Sequence, residues 1–180
     1  MCILRIEGTN CEYETCLAFR RLGAKSDMIH LKQLSKKRNL FDYHCLIIPG
    51  GFSAGDYIRA GAIFAARIKS SLWNQLKDFV DLGFPVGGIC NGFQVLVELG
   101  LLPGSGMRAA LCTNDSGRFE CRPTLLKHEN RGKSIFTRLI PEGKILLVPC
   151  AHAEGKFIFP AGKEEEYLKK LINNDQIVFR

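Results

Sequence analysis

The chain has 180 residues, 46% hydrophobic and 24% charged, the composition of a globular protein long enough to bury a substantial core. Its net charge of +7 comes from scattered lysines and arginines. The densest run, Lys36-Lys37-Arg38, has no interleaved aromatics, so the charge reads as a solvated face and not as a nucleic-acid surface. No apolar stretch approaches bilayer length, and Met1-Cys2-Ile3-Leu4-Arg5 enters an apolar strand with no cleavage-site pattern behind it. A single cytoplasmic domain over residues 1–180 is the expectation, with no membrane and no nucleic acid among its partners.

In chain order, residues 2–6 read as a strand and Gly8-Thr9-Asn10 as a turn, with Asn10 capping a helix over 11–22. Gly23 ends that helix, and strands follow at 26–31 and 43–49. The glycine-rich segment 50–56 leads into helical patterning over 57–68 and again over 72–82, closed by Gly83. Apolar runs alternating with helical patterns predict βαβ units and an open, mostly parallel α/β sheet, flavodoxin-like with helices on both faces. After a strand at 84–87 and a helix to Leu99, Pro103-Gly104 breaks the pattern. Strands at 110–113, 120–127, 144–149 and 156–159 then form a smaller antiparallel portion, followed by a helix over 163–172 and a closing strand over 176–179.

Eight cysteines in a small secreted chain would mean disulfides, but five of these (Cys2, Cys45, Cys112, Cys121 and Cys150) lie in or beside apolar segments, as buried thiols do. The close pairs, Cys11 with Cys16 and Cys112 with Cys121, lack C-x-x-C spacing, so no metal site is expected. The informative cysteine is in Gly88-Ile89-Cys90-Asn91-Gly92, between an apolar strand and an apolar-faced helix. A glycine-flanked nucleophile at a strand-to-helix turn is the elbow arrangement, here built on sulfur. At a helix N-terminus the thiolate is favoured over the thiol. A second glycine-rich turn, Pro49-Gly50-Gly51-Phe52, leaves the end of another strand, where open α/β sheets place ligands. Its amides, with the N–H of Asn91, suit a tetrahedral oxyanion.

The run Pro49 to Tyr57 (PGGFSAGDY) and Gly88-Ile89-Cys90-Asn91-Gly92-Phe93-Gln94 together resemble the class I (triad) glutamine amidotransferases. Within that family the likeness is to glutaminase subunits of purine biosynthesis. It is supported by Gly8-Thr9-Asn10-Cys11-Glu12, Leu101-Leu102-Pro103-Gly104, Asn114 to Arg122 (NDSGRFECR) and Ala151-His152-Ala153-Glu154-Gly155. The resemblance implies that Cys90 attacks the carboxamide of L-glutamine, releasing ammonia and leaving a glutamyl thioester for water. It implies an oxyanion hole at Gly51, Phe52 and Asn91, and glutamine contacts at Gly50, Gln94, His152 and Glu154, with no metal and no cofactor in this subunit. Ammonia would pass to a large synthetase that holds ATP and magnesium and amidates formylglycinamide ribonucleotide, with a small accessory subunit as a further partner. Asn114, Arg118 and Phe119 match a family signature without an assigned role. Ala153 replaces a family glycine, which would be strained if that position needed positive φ.

The family carries its catalytic His and Glu in a Pro-His-Pro-Glu segment, which has no counterpart before Arg180. A domain shortened on its C-terminal side is the preferred reading; a separate polypeptide supplying the pair, or an inactive remnant, are the others. His30 and His44 at strand edges and His128 after a strand read as structural or solvent-facing. The competing function is a glutamine-binding scaffold or regulatory subunit without turnover. A cysteine hydrolase or deglycase of the related elbow fold would explain Cys90 but not Gln94 or the Pro49–Tyr57 motif.

Overall fold

The computed structural model describes residues 1–34 and 36–180. They form two compact units, Met1–Leu101 and Leu102–Arg180.

The first unit is built on four parallel strands: β1 (Cys2–Arg5), β2 (Asp27–His30), β3 (Leu46–Ile48) and β4 (Val86–Gly88), in the order β2-β1-β3-β4. The central β1 and β3 are continuous apolar runs, Cys2-Ile3-Leu4 and Leu46-Ile47-Ile48, with every one of those side chains buried. Parallel strands covered on both sides read this way. Helix α1 (Glu12–Arg21) and the single turn α2 (Leu31–Leu34) flank β2; α3 (Ala62–Ser71) and α4 (Trp73–Asp81) join β3 to β4; α5 (Asn91–Leu99) follows β4. The chain moves from β1 out to β2, returns across β1 to β3, and continues to β4. Right-handed crossovers then put α1 on one face and α3 and α4 on the other. The reversal falls between β1 and β3, so the loops leaving those two strands border the crevice where such sheets bind ligands.

On the α1 side, Ile3, Cys16, Cys45 and Ile47 form a buried cluster against which Met1 and Phe19 pack. Elsewhere Phe79 stacks on Phe84 at 4.5 Å and meets Phe41 at 5.7 Å. The patterning over 57–68 becomes a helix only at Ala62. The backbone is first held by Asp56, whose Oδ1 accepts from Gly61 N–H at 3.2 Å, and Gly61 (φ 77°) passes against α5, where a Cβ would lie 2.8 Å from the Val95 nitrogen.

The second unit contains two antiparallel pairs, β5 (Ala110–Cys112) with β8 (Lys156–Ile158) and β6 (Glu120–Lys127) with β7 (Ile145–His152), and helix α6 (Glu164–Asn173). Pro123 sits directly opposite Pro149. Neither has an N–H, so this is a non-hydrogen-bonded pair, and the N–H groups of alternate residues 121, 125 and 127 face outward. Lys127 uses its outward group: its N–H donates to the Arg180 carbonyl at 2.7 Å and its carbonyl accepts from Arg180 N–H at 2.9 Å. The expected strand over 176–179 is therefore an extended segment meeting the end of β6, bridged at Phe179 to His128. His128 is fully buried against the Phe179 ring, a structural residue.

Burial of the cysteines divides along the same line. Cys2, Cys16 and Cys45 are buried, Cys112 and Cys150 are half-buried, and Cys121 is exposed, contrary to its expected burial, because it lies on the outer face of the β6–β7 ribbon. Among the described residues no helix is long and apolar enough to cross a membrane.

Candidate active site

The site grows from the turn between β4 and α5. Cys90 takes φ 51° and ψ −109°, outside the conformations an L-residue prefers, and is exposed. Such a conformation costs on the order of 1–3 kcal/mol and persists only where its surroundings enforce it. They do so here through backbone contact. A Cβ on Gly92 would lie 1.9 Å from the Ile48 carbonyl oxygen, and one on Gly88 would lie 2.4 Å from the Gly92 oxygen. Ile89 N–H donates to Ile48 O at 3.0 Å, tying the elbow to β3, and Gln94 N–H donates to Cys90 O at 3.1 Å, starting the helix. Cys90 stands at the N-terminus of α5, the partly positive end of the helix.

The loop after β3 closes the other side. The Gly50 position faces Cys90, with a Cβ there meeting the Cys90 Cβ at 3.4 Å and the Cys11 Cβ at 3.9 Å. Gly51 has φ 124° and pairs with Thr9; a Cβ at Gly51 would strike Asn10 Oδ1 at 2.1 Å. The loops leaving β1 and β3 are thus pressed together at the switch point, and Ala54 N–H donates to the Glu7 carbonyl at 2.8 Å. Cys11 brings a second thiol to this corner. Burial, then the charges of Glu14, Cys90 and Glu12, push its pKa up and keep it protonated.

Asn91 joins the two halves through its buried side chain. Its Oδ1 accepts from Ser53 N–H at 3.2 Å and Ser53 Oγ at 2.6 Å, and its Nδ2 donates to Asp56 Oδ1 and Gln94 Oε1, both at 3.1 Å. One amide therefore fixes the Gly50–Phe52 segment against the helix carrying Cys90 and Gln94. Arg59 adds a two-pronged bond to Glu98 on α5, at 2.7 and 2.6 Å. Gly50, Gly51, Phe52, Cys90, Asn91 and Gln94 are brought together in the first unit. Ser53 and Asp56, invisible as site residues in the sequence, prove to be what holds them; the signal available was their place inside the glycine-rich motif.

His152 and Glu154 belong to the second unit, at the end of β7 and just beyond it. Both ring nitrogens of His152 are engaged there, Nδ1 with Asn114 Oδ1 at 2.9 Å and Nε2 with Cys150 Sγ at 3.0 Å. Asn114, which had no assigned role, is the residue that orients this histidine. Ala153 has no positive φ and so carries none of the strain its replacement of a glycine raised. The indispensable glycine is Gly155, where a Cβ would lie 2.2 Å from the His152 ring.

A parallel α/β sheet with an exposed thiol on a strand-to-helix elbow, faced by a glycine-rich loop, defines a class of cysteine-dependent acyl-transfer enzymes. The CobB/CobQ-like glutamine amidotransferase domain matches residues 1–180, and the chain belongs to that family. It is 55% identical to the phosphoribosylformylglycinamidine synthase subunit PurQ of Archaeoglobus fulgidus, over 99% of this chain and 70% of that protein. It is 45% identical to the PurQ subunit of Picrophilus torridus, over 99% of this chain and 68% of that one. Among solved structures, a chain of PurLQS from Thermotoga maritima superposes with a TM-score of 0.75 at 33% identity, covering 89% of this chain and 69% of that chain.

Proposed function

We infer that this chain is the glutamine-hydrolysing subunit of a phosphoribosylformylglycinamidine synthase, which supplies ammonia to a synthetase partner in purine biosynthesis. The observation that carries this reading is the exposed Cys90 on its enforced elbow, within a chain similar along its whole length to PurQ subunits. Cys90 attacks the carboxamide carbon of glutamine, and the negative charge that develops on oxygen meets the amides of Gly51, Phe52 and Asn91. Gly50 leaves room for the substrate beside the sulfur, and Gln94, one turn along α5, holds its amino-acid end. Collapse of the tetrahedral species expels ammonia and leaves a thioester that water hydrolyses. The thiol proton and the leaving nitrogen call for a general acid–base worth about 10²–10⁴-fold.

Free ammonia is protonated and lost in water, so the subunit docks on its synthetase, which holds ATP and magnesium; a small accessory subunit completes the assembly. The contrasting reading is a glutamine-binding scaffold without turnover. Ammonia release from glutamine, measured with the partner synthetase present, separates the two. Cys90→Ala is expected to lower release by on the order of 10⁴-fold or more. It should also prevent covalent labelling by an electrophilic glutamine analogue. Glutamine binding with no release in the wild type supports the scaffold, and release that survives Cys90→Ala refutes the enzyme as described.

A further inference from the structure

The second unit contains three polar side chains hydrogen-bonded in series: Asn114, His152 and Cys150. The direction of each bond is set from its far end. Asn114 Nδ2 donates to the carbonyls of Arg118 at 2.9 Å and His152 at 2.8 Å, so both its hydrogens are used. Its Oδ1 accepts from Gly155 N–H at 3.1 Å and faces His152 Nδ1. An acceptor opposite Nδ1 requires the proton on that nitrogen, and the neutral ring then carries its lone pair on Nε2. That lone pair meets Cys150 Sγ at 3.0 Å, with the thiol donating.

The backbone makes the alignment rigid. Cys150 and His152 are two apart on β7 and therefore project from the same face. Asn114 N–H donates to Ala153 O at 2.9 Å, and only a glycine fits at 155 under the ring. Nucleophile, base and orienting group in hydrogen-bonded sequence are the arrangement that activates a thiol. Cys150 is half-buried.

We propose that Cys150 is a second nucleophilic thiol of this protein, a site of covalent modification by low-molecular-mass disulfides, with His152 as proton acceptor and Asn114 as positioning residue. In the exchange His152 Nε2 takes the proton from Sγ, and the sulfur attacks one sulfur of the disulfide. The S–S bond breaks, and the departing thiolate takes the proton from Nε2. The products are a mixed disulfide on Cys150 and one free small thiol, with the disulfide itself as the only oxidant. This exchange asks for a thiolate and access, whereas acyl transfer would also ask for oxyanion donors.

Cys121 is the internal reference. It lies on β6 opposite Ala151 and is more exposed than Cys150, yet among the described residues it makes no hydrogen bond to a base. Exposure and base activation therefore predict opposite orders of reactivity. The 180-residue chain is incubated with bis(2-hydroxyethyl) disulfide, and the mixed disulfide at each cysteine is followed by peptide mass spectrometry, each rate being normalised to the same cysteine in denaturant. Cys150 is expected to react at least about tenfold faster than Cys121. Asn114→Ala should remove about that factor, while Asn114→Asp, which keeps an acceptor opposite Nδ1, should retain the rate to within about threefold. A wild-type rate at Cys150 equal to or below that at Cys121 overturns the proposal even if neither variant folds. Equal rates in the Ala and Asp variants overturn the role of Asn114.

Discussion

Gly92 and Asn91 stand side by side on the elbow and act by opposite means. Gly92 acts by having no side chain, since a methyl there would sit inside the Ile48 carbonyl. Gly92→Ala should cost about 1–3 kcal/mol in urea unfolding, the range for overpacking. Gly23→Ala meets nothing within 4 Å, so only its positive φ is felt, and about 1 kcal/mol is expected. Asn91 acts through its side chain. Asn91→Ala leaves the buried Ser53 N–H without its acceptor, which should cost about 1–3 kcal/mol in thermal or chemical unfolding. The same change should lower ammonia release although the Asn91 backbone amide is still present, because the loop bearing Gly50–Phe52 loses its tether. Gly92 was legible in the sequence because a glycine flanking a nucleophile has a known steric reason. The partners of Asn91 were not, since Ser53 lies 38 residues away and a polar side chain inside a loop does not announce what it will meet.

Among the elements, those with strong periodicity were read closely. Strands β1, β2 and β4 and helices α4 and α5 fall within a residue or two of expectation, while β3 starts three residues later than the predicted strand over 43–49. Helix α3 starts later than the apolar pattern over 57–68 predicts, at Ala62, after Gly61 takes a positive φ with its N–H donated to Asp56 Oδ1. The β6–β7 ribbon shows a different limit. Its two strands were visible, but their register depends on a turn and on two prolines that only pairing sets opposite each other. Those prolines also withhold donors from the outer edges, which protects a two-stranded ribbon from adding further strands. Pro123→Val gives β6 one more outward N–H. The expected outcome is an unchanged unfolding midpoint, to within about 0.5 kcal/mol, with greater self-association in sedimentation velocity.

For the molecule as a whole, the buried Cys2 thiol sets a pH limit. Burial pushes the Cys2 thiol from 9.0 up to about 12. Below about pH 9 it is neutral folded or unfolded, and its packing contribution is complete. Between about pH 9 and about pH 12 the unfolded chain releases the proton and the folded chain does not, so stability falls as pH rises. At about pH 10 the loss from this one group is about 1.4 kcal/mol. Denaturant midpoints of Cys2→Val should be less sensitive across that window than those of the wild type; an identical alkaline slope would show that Cys2 does not titrate as described.

The α/β class, the parallel sheet, the strand-to-helix turn bearing Cys90 and the facing glycine loop were all readable along the chain, because each depends on local sterics or on a periodicity carried by a dozen residues. Folding alone decided which polar groups share a partner. Ser53 meets Asn91, and Asn114 meets His152 and through it Cys150. Hydrogen bonds are short and directional, so a chain's linear order says nothing about them until the backbone has brought distant loops within about 3 Å.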